Sequence, residues 1–141
     1  MKKTLFLVFI FFVTIQAGCN VPESITVQKN SPTEVISGET FTFSVDIKNA
    51  DNKDHELRSI DIDKTFLDGI MIVSTTPVTS EEYEVFGQHI FEFKSDIPAN
   101  STKEVIFNAK AIKSGDFSGD FDICIDGDAS CLFNSIRILV N

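Results

Sequence analysis

The stretch TFTFSVDIKN, residues 40–49, alternates between apolar and polar side chains at almost every position. Successive side chains of an extended chain point to opposite faces, so its apolar and polar residues separate onto two sides. One side carries Phe41, Phe43, Val45 and Ile47, and the other carries Thr42, Ser44, Asp46 and Lys48. The pattern predicts a β-strand with one buried face.

The same alternation recurs along the rest of the chain. It appears at residues 57–63, 89–94, 102–112, 116–126 and 135–140, and more weakly at residues 24–29. The run IMIVST, residues 70–75, is continuously apolar at its start, which predicts a strand covered on both faces. Turns rich in Gly, Pro, Asn and Asp separate these runs, and no window of ten residues has a convincing helical period. Eight or so short strands without helices predict an all-β fold, a β-sandwich of about 7–9 antiparallel strands.

Three segments resemble immunoglobulin-like domains of bacterial cell surfaces. They are SGETFTFSVDIKNADN, IDIDKTFLDGIMIVS and IPANSTKEVIFNAKA, which lie within residues 35–112. The resemblance is one of strands and turns, and it implies an immunoglobulin-like or fibronectin-like module. Such folds host many unrelated functions, so the resemblance implies no particular activity.

Residues 1–18 have the features of a signal peptide. Lys2 and Lys3 precede an apolar run from Leu5 to Ile15, and the small residues Ala17 and Gly18 follow. The apolar run has about eleven residues, whereas a membrane-spanning helix needs about 20. We therefore expect an export signal and not a permanent membrane span.

The end of this segment, IQAGC, resembles the lipobox of bacterial lipoproteins. The resemblance implies that Cys19 is lipidated and becomes the N-terminus, with residues 19–23 as a short tether and residues 24–141 as the domain. Gln16 departs from the pattern, because an apolar residue is usual there. The alternative is cleavage after Ala17, which would release a soluble secreted protein. If the organism has two membranes, Asn20 in place of the usual retention residue Asp favours the outer membrane.

The cysteine count agrees with export. The chain has three cysteines, and lipidation of Cys19 leaves Cys124 and Cys131 as a pair in an oxidising compartment. They flank the stretch CIDGDASC, in which Asp126-Gly127 predicts a hairpin turn. The two cysteines would face each other across this hairpin, within the roughly 4.4–6.8 Å between Cα atoms that a disulfide requires.

The charge of the chain excludes some partners. Removal of Lys2 and Lys3 lowers the basic residues from 12 to 10 and leaves 21 acidic residues, so the formal charge changes from −9 to −11. Binding to nucleic acid requires clustered Lys and Arg, and anionic lipid headgroups would repel an acidic surface. We therefore expect no nucleic acid partner, and contact with the membrane only through the lipid anchor.

No catalytic constellation stands out in the sequence. The two histidines, His55 and His89, lack a recognisable nucleophile motif nearby, and we expect them to be ordinary loop or strand-end residues. The two cysteines and the histidines also lack the paired spacing of zinc sites. The sequence therefore predicts neither a catalytic residue, a metal ligand nor a cofactor.

Acidic residues crowd the C-terminal third of the chain and leave calcium binding as an alternative. These residues are Asp116, Asp120, Asp122, Asp126 and Asp128. Calcium prefers several hard oxygen ligands, but the spacing of an EF-hand loop is absent. On strands, Asp120 and Asp122 should point to solvent, as should Asp61 and Asp63.

These observations favour a non-enzymatic lipoprotein of the cell envelope, a structural or protein-binding module that contacts an unidentified protein through an edge strand or loops. The alternative is a soluble secreted module that binds calcium or another ligand through its acidic loops. A small hydrolase is the third and weakest hypothesis.

Overall fold

The computed structural model describes residues 20–141. The predicted signal peptide and Cys19 lie outside the described residues. Within the described part, the chain forms eleven strands and one short helix. In chain order they are β1 (Ile25–Asn30), β2 (Glu34–Val35), β3 (Thr40–Asn49), β4 (His55–Asp63), α1 (Lys64–Leu67), β5 (Ile70–Thr76), β6 (Glu81–Val85), β7 (Gln88–Ile97), β8 (Ser101–Ala111), β9 (Gly115–Ile125), β10 (Cys131–Leu132) and β11 (Ser135–Val140). No helix of residues 20–141 is both long enough and apolar enough to cross a bilayer.

The strands form two sheets that pack face to face. The first sheet has the order β1-β3-β8-β5, and the second has the order β2-β11-β9-β4-β7-β6, with β10 also paired to β9. Nine of the strands have five or more residues, and all of their pairings with one another are antiparallel. The two-residue strand β2 pairs with β11 in parallel. The prediction of an all-β, immunoglobulin-like sandwich is confirmed.

The opening stretch of the sequence forms the centre of the first sheet. Strand β3 pairs with β8 over ten consecutive positions, from Thr40 opposite Lys110 to Asn49 opposite Ser101. Phe43 lies directly opposite Phe107, and their rings stack with centroids 4.8 Å apart. Burial of one such ring stabilises the fold by roughly 1.5–3 kcal/mol, so this pair contributes a large part of the core.

The core lies between the sheets and contains most of the predicted inward-facing residues. Phe43 also meets the ring of Phe121 from the second sheet edge-on, with centroids 6.1 Å apart. Other buried residues of the two inner faces are Val45, Ile47, Val105, Ala109, Leu57, Ile60, Ile62, Ile123, Ile136 and Ile138. The period-two alternation of the sequence thus builds a single core from two sheets.

Helix α1 was not predicted, because a helix of four residues leaves too short a periodic signal. The Asp63 carboxylate caps it by accepting a hydrogen bond from the Thr65 amide at 3.0 Å. Beneath the cap, strand β9 carries Gly119. A Cβ atom at Gly119 would lie only 2.6 Å from the Asp63 Cβ, so this close approach requires glycine.

One buried amide fastens three segments at one end of the sandwich. The side-chain amide nitrogen of Asn49 donates to the carbonyl oxygens of Lys53, Ile97 and Pro98 at 2.9, 3.0 and 3.2 Å. Its carbonyl oxygen accepts from the Asp51 amide at 2.9 Å. Asn49 is fully buried, so these bonds satisfy a polar group that would otherwise be costly.

Strand β5 differs from its prediction. The sequence predicted a strand covered on both faces, but Met71 is 45% exposed and Val73 is 59% exposed. The prediction was wrong because β5 is the outermost strand of the first sheet. Its run of apolar residues lies at an exposed edge and is not covered on both faces. Strand β6 was missed because its five residues are all exposed and have no buried face.

Candidate functional site

A groove opens between the two sheets along one side of the sandwich. It lies between β5, an edge of the first sheet, and β6, an edge of the second, and has a volume of about 320 Å³. Its lining is apolar near β5 and charged near β6. The lining residues are Lys64, Leu67, Asp68, Ile70, Met71, Ile72, Glu82, Glu84, His89, Phe91 and Ile112.

The β5 edge of this groove carries no charge. In the described part of the chain, β5 forms a ladder with β8 alone, so the opposite side of its backbone is unpaired. None of its seven residues, IMIVSTT, is charged. Proteins normally protect such an edge with charged residues, prolines or covering loops, and the bulge between Ile72 and Ser74 interrupts this edge only partly.

The other sheet edges are protected. Strand β6 carries Glu81, Glu82 and Glu84 among its five residues. At β1, the Lys29 ammonium donates a hydrogen bond to the Ser135 carbonyl of the opposite sheet. The fourth edge is the two-residue strand β2. Strand β5 is therefore the long edge that is both apolar and open.

The β6 side of the groove is an acidic wall. Glu82 and Glu84 lie opposite Phe91 and His89 of β7, positions that face the groove. The Glu84 carboxylate accepts from the Lys64 ammonium at 2.7 Å, and this bond holds the pKa of Glu84 below its usual value. Glu82 accepts from the Thr79 hydroxyl at 2.8 Å.

The predicted disulfide is present in the second sheet, away from the groove. Cys124 of β9 and Cys131 of β10 lie directly opposite each other and are bonded. Their Cα atoms are 3.9 Å apart, which is closer than the predicted range. At the turn, Asp126 adopts a left-handed conformation with φ of 60°, a conformation that Asp tolerates better than most residues.

His55 is the first residue of β4, one of the two kinds of position expected for it, and its side chain is buried between two carboxylates. Its Nδ1 atom lies 2.6 Å from Asp126 Oδ2, and its Nε2 atom lies 3.1 Å from Asp51 Oδ2. The hydrogen bond to Asp126 is the main reason that the pKa of His55 is raised, and the bond to Asp51 adds to it. The sequence did not predict this contact, because Asp126 approaches from a hairpin 71 residues away. Because both ring nitrogens contact carboxylates, His55 links the loop that contains Asp51 to the hairpin that contains Asp126.

The second histidine, His89, lies in β7 at the groove. Its ring packs on that of Phe91, with centroids 4.5 Å apart, and its Nε2 atom is 3.3 Å from a Glu82 carboxylate oxygen. No sequence motif signalled this contact, because Glu82 belongs to the strand that was not predicted.

The acidic residues of the C-terminal third have different partners. Asp116 binds Arg137 at 2.8 and 2.5 Å, and Asp128 binds Arg58 at 2.8 Å. Asp126 binds His55, and Asp122 accepts from the Gln88 amide at 3.3 Å. In residues 20–141, the one group of three potential metal ligands is Asp61 with Cys124 and Cys131, whose sulfurs are committed to the disulfide.

Two aspartates predicted to lie in solvent are largely covered. Asp61 and Asp122 are directly opposed on β4 and β9, and Asp122 is only 7% exposed. Burial raises the pKa of both carboxyl groups, and the charge of Asp122 raises that of Asp61 further. The alternation identified the face on which these side chains lie but not their neighbours there, and the Gln88 side chain of β7 reaches Asp122 on that face.

Glu92 is also buried on this sheet, where the alternation predicted an exposed residue. Its carboxylate lies 3.0 Å from the Arg58 guanidinium and 2.6 Å from the Lys94 ammonium. Two cations thus compensate one buried anion, which is the arrangement that makes such burial tolerable. A lone Glu within an apolar strand was the only sequence signal for this cluster.

Comparison with known proteins gives the fold alone. No model of a known protein family matches the chain, and no curated protein matches its sequence. Among solved structures, it is similar to the cupredoxin domain of amoB from Nitrosocaldus yellowstonii, with 9% identity and a TM-score of 0.55 over 86% of this chain and 89% of that one.

Two further structures have comparable similarity. A cohesin module from a Clostridium perfringens family 33 glycoside hydrolase has 14% identity and a TM-score of 0.50, over 84% of this chain and 97% of that one. The Escherichia coli alpha-2-macroglobulin has 16% identity and a TM-score of 0.54, over 84% of this chain but only 9% of that one. At such low identities, the comparisons support a β-sandwich module and no particular function.

Proposed function

We propose that this protein is a non-enzymatic module of the cell envelope that binds another protein along the free edge of β5. The observation that carries the proposal is the combination of an unpaired edge, the absence of charge on IMIVSTT, and the exposure of Met71 and Val73. An exposed apolar edge of this kind is a liability for a protein on its own, and a partner strand removes it.

The mode of binding follows from the geometry of the edge. A partner segment in extended conformation can continue the ladder of the first sheet, with main-chain hydrogen bonds supplying affinity and side-chain contacts supplying specificity. Seven residues of β5 span about 23 Å, so the partner contributes a strand of similar length. The bulge between Ile72 and Ser74 divides the available edge into two short segments.

The arrangement of polar groups supports a binding role over a catalytic one. Both ring nitrogens of His55 contact carboxylates, and the two described cysteines are joined in a disulfide. The groove itself holds His89, but its neighbours there are carboxylates and apolar side chains. These contacts favour structural roles for the groups that catalysis most often uses.

The proposed location in the cell envelope rests on the N-terminal sequence. We propose that Cys19 carries a lipid anchor and that residues 19–23 form the short tether between the membrane and the domain, in which β1 begins at Ile25. A disulfide is typical of an oxidising compartment. The acidic charge of the domain would keep it solvated next to an anionic membrane.

Site-specific photo-crosslinking in the native envelope tests the binding site. A photoreactive residue in place of Met71 or Val73 should give a discrete adduct with another protein. The same residue at Gln28, an exposed position on the protected β1 edge, is the matched control. The absence of an adduct at β5, or equal adducts at all three positions, would show that β5 is not the binding edge.

The anchor is tested separately by the intact mass of the native protein. A diacylated or triacylated chain that begins at Cys19 supports the anchor. An unmodified chain that begins at Gly18 would instead indicate the secreted alternative.

A further inference from the structure

We propose that the segment bound at β5 alternates between basic and apolar residues, with its basic side chains facing the groove. This inference rests on the proposed function and specifies the chemistry of the partner. It follows from the difference in charge between the two walls of the groove: the β5 wall is uncharged, and the β6 wall carries Glu82 and Glu84.

The side chains of the partner strand that point inward face the acidic wall of the groove. Ile70 and Ile72 of β5 lie opposite Ala111 and Ala109, two core-facing residues of β8, so inward side chains at this edge point toward the second sheet. The groove places Glu82 and Glu84 there. A strand added beside β5 therefore projects its inward side chains near Ile70 and Ile72 toward these two carboxylates.

The acidic wall has a surplus of negative charge. Glu82, Glu84 and Asp68 line the groove together with one lysine, Lys64, which already binds Glu84 at 2.7 Å. Glu82 and Glu84 belong to β6, the outermost strand of the second sheet, and line the groove together with Ile70 and Ile72 of β5. Carboxylates at such positions match a cationic partner, since opposite charges across an interface favour binding and reject acidic competitors.

The floor of the groove suits lysine or arginine in particular. Leu67, Ile72 and Phe91 form an apolar surface between the edge of β5 and the glutamates. A long basic side chain can lay its aliphatic stem on this surface and bring its charged end to the carboxylates. Short cations do not combine these two contacts.

The outward side chains of the partner meet an apolar surface. Met71, which also borders the groove, pairs with Lys110, and Val73 is exposed at the bulge beside it. Side chains that point outward from an added strand lie next to Met71 and Val73. Apolar residues at these positions would cover exposed area, which favours binding.

The test uses two synthetic peptides and the mature chain, residues 19–141, with Cys19→Ser to keep it in solution. One capped nine-residue peptide alternates Lys and Val, and the other has Glu in place of every Lys. Amide chemical shifts identify the binding site, and titration calorimetry at low salt gives the affinity. We expect the Lys peptide to perturb the amides of residues 70–76 and the Glu peptide to leave them unchanged.

A matched pair of variants isolates the acidic wall. In Glu82→Gln/Glu84→Gln, affinity for the Lys peptide should fall roughly tenfold, as expected for two partly exposed ion pairs. In Glu34→Gln/Glu104→Gln, the same charge is removed from exposed positions outside the groove, and affinity should change less than twofold.

The inference is overturned if the Lys peptide does not bind at β5, if the Glu peptide binds equally well, or if both double variants lose the same affinity. These outcomes leave the proposed function standing where Met71 still gives its crosslink in the native envelope. Loss of that crosslink would instead reject the β5 edge itself.

Discussion

The Nδ1 atom of His55 lies 2.6 Å from the Oδ2 atom of Asp126, and this contact joins the start of β4 to the disulfide hairpin. The other oxygen of Asp126 accepts from the Glu56 amide at 2.8 Å. Asp51, bound to the second ring nitrogen, belongs to the loop that Asn49 holds. One histidine side chain thus connects two loops that are far apart in sequence.

The contact between His55 and Asp126 should make stability depend on pH. The pKa of His55 is raised in the folded protein, so its contribution is fully present below pH 6.5, the usual value of histidine, and is lost as pH rises through the folded pKa. Burial acts to raise the pKa of Asp126, but the hydrogen bonds from Glu56 and His55 outweigh it and lower this pKa. The contact also weakens when acid protonates that carboxylate.

His55→Gln should therefore lower the free energy of unfolding by about 1 kcal/mol at pH 5.5 and by less at pH 9. This figure is that of a charge-assisted hydrogen bond, reduced because the Asp126 side chain is 41% exposed. Urea denaturation at the two pH values measures it. His89→Gln is the control for loss of a histidine elsewhere, and an equal loss at both pH values in His55→Gln would contradict the prediction.

The disulfide should stabilise the folded state without being required for the fold to form. Cys124 and Cys131 enclose a short loop, with a sequence separation of 7, for which closure contributes about 2.5 kcal/mol. In the variant Cys124→Ala/Cys131→Ala, the free energy of unfolding should fall by about that amount. The amide spectrum of β3 and β8 should remain native. Reductant should destabilise the natural chain and leave the double variant unchanged. Complete unfolding of the variant would show that the bond is required for the fold.

Gly119 should not tolerate a side chain. In Gly119→Ala, the added methyl group would lie 2.6 Å from Asp63 Cβ and 3.1 Å from Thr65 Oγ1, so the cap of α1 must move. We expect a loss of about 2 kcal/mol, as for overpacking in a tight site. Gly127→Ala is the matched control, because nothing lies within 4 Å of its added carbon. Thermal denaturation of both variants decides the point, and equal melting temperatures would be inconsistent with this close approach.

Asp61 should be a source of instability at neutral pH. Its pKa is raised by burial, so the folded state disfavours the charged form, and stability falls as pH rises above the usual pKa of aspartate. Asp61→Asn removes this penalty and should stabilise the protein by up to about 1 kcal/mol at pH 7, with a smaller effect at pH 3. Asp96→Asn, at an exposed position, should have little effect at either pH. A destabilised Asp61→Asn variant at pH 7 would indicate that the carboxylate is held by a favourable contact.

Most of the long strands of the core were predictable to within one or two residues, whereas β7 extends three residues beyond its predicted end, to Ile97. Strands β3 and β11 have the predicted bounds, and β8 and β9 differ by a single residue at each end. Each has a buried face over its whole length, so the hydrophobic pattern repeats often enough to be recognised. The hairpin around Asp126-Gly127 was equally clear because its turn residues are specific.

The residues that sequence analysis misjudged depend on contacts between distant segments. Asp122 and Glu92 were predicted to face solvent and are buried, and the burial of His55 at the start of β4 was not predicted. Their partners or covering residues come from other strands, and an alternating pattern contains no information about which strands become neighbours. The same reason explains β6, whose exposed residues GluGluTyrGluVal lack a buried face to mark them as a strand.

The sequence alone determined that this chain forms stacked sheets with one apolar core, because alternation at period two is a local property of each strand. It also determined the disulfide, because the two cysteines flank a turn of known geometry. Only the tertiary structure decided which strand is left unpaired at an edge and which charges face it across the groove. Strand order depends on long-range packing, so the open β5 edge and its acidic wall become visible only when both sheets are assembled.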